Sequence, residues 1–417
     1  MSAKALAGAF AIAALLASQG VAAQAKTVAG IVPDISSVGA QARVPAVAGA
    51  RAHAANLPYG GGPVMHSNRT HLIFWAPAYS GLAFDPGYTA LVERFLSQVA
   101  LASHSPSNVY GLTGQYTDSS GPAAYDSSYR GSVLDTDPLP ANGCTEPTDG
   151  GPGWTVCLND AQLEHEVEHV VSVDKLPHAS RDIYFLMTPS GFGSCIDAQS
   201  TSCALGGLTG GYCGYHSATP QGILYAVIPF NAVPDHCQSG NPRPNRSTAD
   251  PAISALSHEH NETITDPTGD AWIDATNNED GDLCARHFGH RLGGSGARAW
   301  NQSIASGHYY LQEEWSNRSS DCAPRSRRDS IWFSGDARAV PGGRVDFAAS
   351  ARHPVAPIIS YAWSFADGRR GHGRNVAHVF QRAGAYKVVL RTTDSDRNYA
   401  FLVRAVTVSA RPARPTG

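Results

Sequence analysis

The chain has little charge and few long apolar runs. Only 16% of its 417 residues are Asp, Glu, Lys or Arg, and the net charge is −4. That balance gives no case for binding nucleic acid or an anionic membrane. Beyond the N-terminus no stretch is apolar over the ~20 residues that a membrane helix needs. No Cys-x-x-Cys pair occurs, which argues against a four-cysteine zinc site. The serines of Thr188–Ser194 lack the Gly-x-Ser-x-Gly frame of a hydrolase elbow. The glycines of Gly206–Gly211 lack the lysine of a P-loop. Cysteine is also absent after Cys322, so the C-terminal region must hold together by packing alone.

What is abundant is glycine (42) and proline (27), which points to loops and short strands rather than a helical bundle. The N-terminus reads as an export signal over residues 1–23. Lys4 supplies the positive start, Ala5–Leu16 the short apolar run, and Val21-Ala22-Ala23 the small residues of a cleavage site. The expected location is therefore secreted, extracellular or periplasmic. The eight cysteines all lie between Cys144 and Cys322, and an even count in an exported chain implies disulfides. Pairing does not follow from sequence, although short loops favour Cys144–Cys157, Cys195–Cys203, Cys213–Cys237 and Cys284–Cys322.

Residues 24–60, rich in Ala, Val, Gly and Pro, read as a linker or propeptide. From 61 to 324 the pattern alternates. Thr70–Trp75 is a buried strand, and a helix follows from Pro86 to Ser103 with Tyr88, Leu91, Val92, Phe95, Leu96 and Val99 on one side. Ser107–Thr117 and Gly131–Leu139 read as short strands, Asp160–Val173 as a helix capped by Asn159 or Asp160, and Ile183–Met187 and Ile223–Phe230 as buried strands. This is one disulfide-braced α/β domain. From 325 to 411 short apolar runs recur at even spacing with turns between them, the pattern of a β-sandwich, and 412–417 form a tail.

The chemistry concentrates in Pro251–Cys284. Ile253 and Leu256 share the packed face of a helix, and His258 and Glu262 share another with Glu259 beside them. Asp266-Pro267 stops the helix. A loop then supplies Glu279, Asp280 and Asp282 just before Cys284. His-Glu-x-x-Glu followed by a carboxylate loop can hold a divalent metal, with Glu259 as general base. A Glu ligand in place of His adds negative charge and favours harder cations, so Zn²⁺ and Ca²⁺ both stay open. The rival is a literal His-Glu-x-x-His: His165, Glu166 and His169 on the 160–173 helix. There Leu163, Val167, Val170 and Val171 form the apolar face, which leaves both histidines on the wet side.

Two resemblances follow from these residues. The strings Tyr361-Ala-Trp363-Ser-Phe365-Ala-Asp367-Gly368, His378-Val-Phe380, Ala383-Gly384-Ala-Tyr386-Lys-Val388 and Thr393-Asp394 resemble a PKD domain, an immunoglobulin-like sandwich, with Ser364 and Ala366 where the usual string has Asp and Gly. That resemblance implies an accessory module for spacing or for binding polymers and surfaces. Tyr59-Gly-Gly-Gly-Pro63-Val-Met65, the Ser257–Glu262 string with Thr265-Asp266-Pro267 and Trp272, Gly281-Asp282-Leu-Cys284 and Trp315-Ser-Asn317 are similar to the exordium/phosphate-induced group and its zincin-like relatives. It implies a zinc-peptidase-like fold in which His258 and Glu262 are metal ligands, Asp282 is the third ligand and Glu259 is the base. Three functions stay open: a secreted metallopeptidase-like protein acting on an extracellular protein, a non-catalytic binder of protein or polysaccharide surfaces, and a glycan-acting enzyme using Glu259 and Asp282 without metal.

Overall fold

The computed structural model describes residues 29–33, 56–146, 153–204, 210–234, 236–238, 241–326, 329–354 and 356–409. The expected signal peptide and the C-terminal tail lie outside these residues. In the larger domain the strands are β1 (Ala29–Pro33), β2 (Asn68–Trp75), β3 (Ser127–Asp135), β4 (Val156–Asn159), β5 (Asp182–Met187), β6 (Phe192–Cys195), β7 (Ser202–Ala204), β8 (Gly210–Ala218) and β9 (Leu224–Ile228). The helices are α1 (Tyr88–Leu101), α2 (Asp160–Val173) and α3 (Ala249–Thr265).

One sheet organises the domain in the order β3-β2-β5-β9-β8-β7-β6-β4, with β1 added alongside β8. Strands β3, β2, β5 and β9 run parallel, and β8 runs antiparallel to β9. Covered on both faces, the central strands β2, β5 and β9 are buried at nearly every position, and their apolar runs fill both sides. Alternate residues of β2 enter opposite cores: Leu72 and Phe74 pack with α1 and α3, while Ile73 and Trp75 pack with α2. The α/β layering expected from sequence is present.

Two expectations change. Ser107–Thr117 is not a strand: Val109–Gln115 forms a 3₁₀ helix, with the Asn108 side chain accepting the Tyr110 N–H at 3.1 Å. Its apolar residues are buried as a strand's would be, and a short apolar run carries no period to separate the two. Residues 24–60 are not wholly a linker. Ile31 and Val32 pair with Tyr215 and Gly214 on β8, Leu57 is buried, and Gly60 N–H donates to Ala271 O. The domain therefore draws on residues before 61. Two short hairpins close the domain, Gln302–Ile304 with Gly307–Tyr309 and Glu314–Ser316 with Asp321–Ala323. All four short-loop disulfides are formed: Cys144–Cys157, Cys195–Cys203, Cys213–Cys237 and Cys284–Cys322.

The C-terminal domain is the expected sandwich. Its strands are β10 (Ser330–Ser334), β11 (Arg344–Arg352), β12 (Ile358–Ser364), β13 (Arg370–His372), β14 (Asn375–Val379), β15 (Gly384–Asp394) and β16 (Tyr399–Val408). β10-β11-β14 face a sheet of β16-β15-β12-β13, with the two-residue strand Arg338–Ala339 on the edge of β16. Phe333, Phe347, Trp363, Phe365 and Phe380 fill the space between them, and Tyr386 packs at its margin. Ala366 holds φ 58°, a left-handed conformation that suits glycine, so the replacement noted in the sequence sits at a strained turn.

The two domains are clamped. Arg318 forms a two-pronged ion pair with Asp396, with Nη2 donating to Oδ1 at 2.6 Å. Asn398 Nδ2 donates to Gly111 O at 3.1 Å, and Tyr399 N–H donates to His104 O at 2.6 Å.

Candidate metal centre

Helix α3 is placed by its ends. Asp250 accepts the N–H groups of Asn245 and Ser247 ahead of the first turn. At the other end Asp266 leaves helical geometry, and its Oδ1 accepts the N–H groups of Asp270 and Ala271 at 2.9 Å each. The helix lies against β8 and β9 and is buried nearly all round. His258, Glu259, His260, Asn261 and Glu262 are at most 1% exposed, so the face expected to be polar is polar but not wet. His260 is packed between the Tyr110 hydroxyl at 3.2 Å and Asn68 Oδ1 at 3.0 Å.

The islands of the weaker resemblance converge on this helix. Met65 N–H donates to Ile264 O, and Gly62 N–H donates to Asp270 O. The 279–284 loop folds back so that Asp282 N–H donates to Glu262 Oε1 at 3.0 Å. Gly281 permits that approach: a Cβ there would lie 2.7 Å from the His258 ring and 2.8 Å from Glu262 Oε1. Trp315 N–H in turn donates to Asp280 O at 2.8 Å, and the Cys284–Cys322 bridge ties the loop to the hairpin beside it.

The structure brings His258, Glu262 and Asp282 together. His258 Nε2 is 2.8 Å from Glu262 Oε1 and 3.5 Å from Asp282 Oδ1. One ligating atom from each lies within 4.8 Å of the other two. Gln312 Nε2 donates to His258 Nδ1 at 2.8 Å, with its Oε1 fixed by the Arg286 N–H. His258 Nε2 thus faces two carboxylates, at the position where a cation would take the place of a proton. Glu259, the expected base, faces away from Asp282. Its Oε2 is 3.0 Å from His216 Nδ1 on β8, and its Oε1 has no hydrogen-bond partner.

Around this trio stand groups that the sequence reading did not assign: His216, Glu279, Asp280, Gln312 and Glu314. Glu279 and Glu314 are fully buried, and neither carboxyl has a hydrogen-bond partner on either oxygen. Burial, reinforced by neighbouring carboxylates, holds Glu259, Glu279 and Glu314 well above the ordinary range and pushes Glu262 up to about 8 and Asp280 up to about 7. Burial alone would lower His258, but the charge of Glu262 and the contacts with Asp282 override it and hold the imidazole well above its usual value. Burial lowers His216 to about 4, so it is neutral. Buried carboxyls lacking protein hydrogen-bond partners are costly, and a bound cation compensates such a cost. The nearest opening is a cleft of about 210 Å³ lined by Val32, Ser254, Ala255 and Gln312.

The rival histidines do not converge. His165 is exposed, and His169 turns outward to Asp137 at 3.0 Å. Glu166 points inward beside Asp135, where burial and that neighbour's charge push it up to about 8. The folded state thus keeps this proton where the unfolded chain has lost it. Its stabilising effect is full at low pH and is lost as pH rises toward about 8. In Glu166→Gln, unfolding midpoints measured from about pH 5 to about pH 8 should fall less steeply than in the natural protein.

The PKD domain family model matches residues 330–403. Similar solved structures include the PKD1 domain of Vibrio anguillarum Epp, 22% identical over 20% of this chain and 98% of that one, TM-score 0.19. Another is the PKD1 domain of the Vibrio cholerae metalloprotease PrtV, 21% identical over 20% of this chain and 100% of that one, TM-score 0.19. A third comes from a study of the promiscuous specificity of β-sandwich carbohydrate-binding modules, 23% identical over 21% of this chain, TM-score 0.20. This chain spans 36% of that protein's length. No helix among the described residues is long and apolar enough to cross a membrane.

Proposed function

We propose, from the premise that residues 330–403 form a PKD domain, that the larger domain is a zincin-like metal-dependent hydrolase acting on peptide bonds outside the cell, carried by that sandwich. The observation that carries the reading is the buried trio His258 Nε2, Glu262 Oε1 and Asp282 Oδ1, set among carboxyls that lack partners. Four parallel strands, an antiparallel neighbour and a following helix bearing His-Glu support the zincin-like assignment. The four disulfides are consistent with an extracellular protein.

A divalent cation held by His258, Glu262 and Asp282 would supply Lewis acidity toward a carbonyl and an attacking water. The chain's own residues do the rest. Gln312 fixes the His258 ring, the Asp282 N–H orients Glu262, and His216 holds one oxygen of Glu259. The other Glu259 oxygen, which has no hydrogen-bond partner, would accept the proton of the attacking water once the charge of a bound cation had ionised this carboxyl. Zn²⁺ fits the His-containing trio, and the carboxylate-rich surroundings also suit Ca²⁺.

A second reading is a non-catalytic extracellular binding protein in which the cation only braces the loop. The near-complete burial of the cluster favours it. The test is cleavage of an unfolded protein substrate by the full chain. Cleavage that stops with chelator and returns with added Zn²⁺ is expected. A metal-loaded protein that cleaves nothing would transfer the case to the binding reading.

A further inference from the structure

Glu262 has two oxygens, and the trio uses one. Its Oε1 faces His258 at 2.8 Å. Its Oε2 points the opposite way, has no hydrogen-bond partner, and lies 3.7 Å from His216 Nδ1. On the far side of the same imidazole, Glu279 Oε2 is 3.7 Å from Nε2. Ligating atoms from His216, Glu262 and Glu279 lie within 4.8 Å of one another, and all three residues are buried.

Glu279 is the independent sign that something belongs there. It is 0% exposed, and neither oxygen has a hydrogen-bond partner, although the backbone turn beneath it is well bonded: its own N–H donates to Asp282 Oδ2 at 3.1 Å. A loop built to bury a carboxylate unsatisfied needs a ligand to offset the cost. One cation at the His258 trio would engage only Oε1 of Glu262 and would leave Glu279 and Oε2 as they are. His216 Nδ1 lies 3.0 Å from Glu259 Oε2, a carboxylate placed to orient a metal-ligating histidine, and a cation at Nε2 would displace the contact with Asp266 O at 3.3 Å.

We infer that the centre holds two divalent cations, a second subsite of His216, Glu262 and Glu279 sharing Glu262 with the His258 trio as a bridging carboxylate. The proposal rests on the metal-centre reading above and adds a ligand set of its own. Two oxygens and one imidazole suit Mn²⁺ or Zn²⁺. Carboxylate-bridged pairs stand roughly 3.5–4 Å apart, close enough for both ions to act on one substrate group.

The experiment is metal analysis of the full chain reconstituted with Mn²⁺, together with its electron paramagnetic resonance spectrum. About two Mn²⁺ per chain with the multiline signal of a coupled pair are expected. Glu279→Gln should drop the content by half and convert the spectrum to that of an isolated ion, as should Asp282→Asn from the other side. One ion per chain in the natural protein, unchanged by Glu279→Gln, overturns the second subsite and leaves the hydrolase proposal standing. No bound metal in the natural protein overturns both. Because the natural protein's stoichiometry decides by itself, a variant that fails to fold does not shield the proposal.

Discussion

Glu262→Gln should abolish the thermal stabilisation that divalent metal gives this protein. A ligand present at 100 times its Kd stabilises the folded state by about 2.7 kcal/mol. Glu262 lies on His258 through one oxygen and faces His216 through the other. Losing its charge removes the group both sets share, and the affinity loss should exceed the ~10–100-fold typical of residues that merely support a ligand. Without metal the sign reverses. Glu262 is pushed up to about 8 by burial and by the charge of Asp282, so a neutral amide relieves crowding. The variant should therefore melt no lower than the natural protein in chelator, and well below it in saturating Zn²⁺ or Mn²⁺. A glutamine variant that still gains the full metal shift would dismiss Glu262 as a ligand. The paired thermal scans also separate metal loss from misfolding, since a misfolded variant would be destabilised in both.

The second large effect is expected from Cys284→Ser with Cys322→Ser. The bridge closes a separation of 38 residues, the longest of the four. Loop-closure entropy puts its contribution at about 4 kcal/mol, against about 2.5 kcal/mol for the short loop of Cys195–Cys203. Its position adds a local consequence. Cys284 is fully buried two residues after Asp282, packed with Leu57, Tyr116 and Trp315. Releasing it frees the loop that delivers Glu279, Asp280 and Asp282 to α3. Denaturant unfolding should show the larger loss in this pair, and metal content should fall with it. The Cys195→Ser/Cys203→Ser protein, whose bridge is remote from the loop, should keep its metal. Equal metal loss in both variants would mean that the loop's position does not depend on its own bridge.

The sequence made some of this legible for definite reasons. Helix α3 announced itself by its period and its Asp-Pro stop, and His258 and Glu262 by their spacing along it. The four disulfides are the pairs that short loops favour, since the cysteines come as successive near neighbours, although the sequence left other pairings open. His216 carried no such signal. It is one histidine inside Tyr-Cys-Gly-Tyr-His-Ser-Ala on β8, and only the fold brings that strand under α3. Gly210 and Gly211 open the nine-residue strand that carries it. Glu279 was visible in the acidic loop, but nothing in a run of carboxylates tells which one turns inward. Glu314 sits between Glu313 and Trp315 in a short hairpin strand, where the tryptophan gave the one hint of burial. The literal His-Glu-x-x-His was the sharper motif and the emptier site, because its helix spends its apolar face on Leu163, Val167 and Val170, leaving the histidines outside.

The clamp between the domains bears on how the protein meets its surroundings. Arg318 belongs to the turn that follows Trp315, and Trp315 is bonded to Asp280 in the acidic loop. A molecule held at Arg318, His104 and Gly111 together does not swing on a leash: it tumbles as a single particle. Were the sandwich to anchor the protein as the proposed function has it, the bearing of the cleft beside Gln312 would be fixed with it. Reach would be given up for aim, and the cleft would meet what lies at one set angle from the anchoring point.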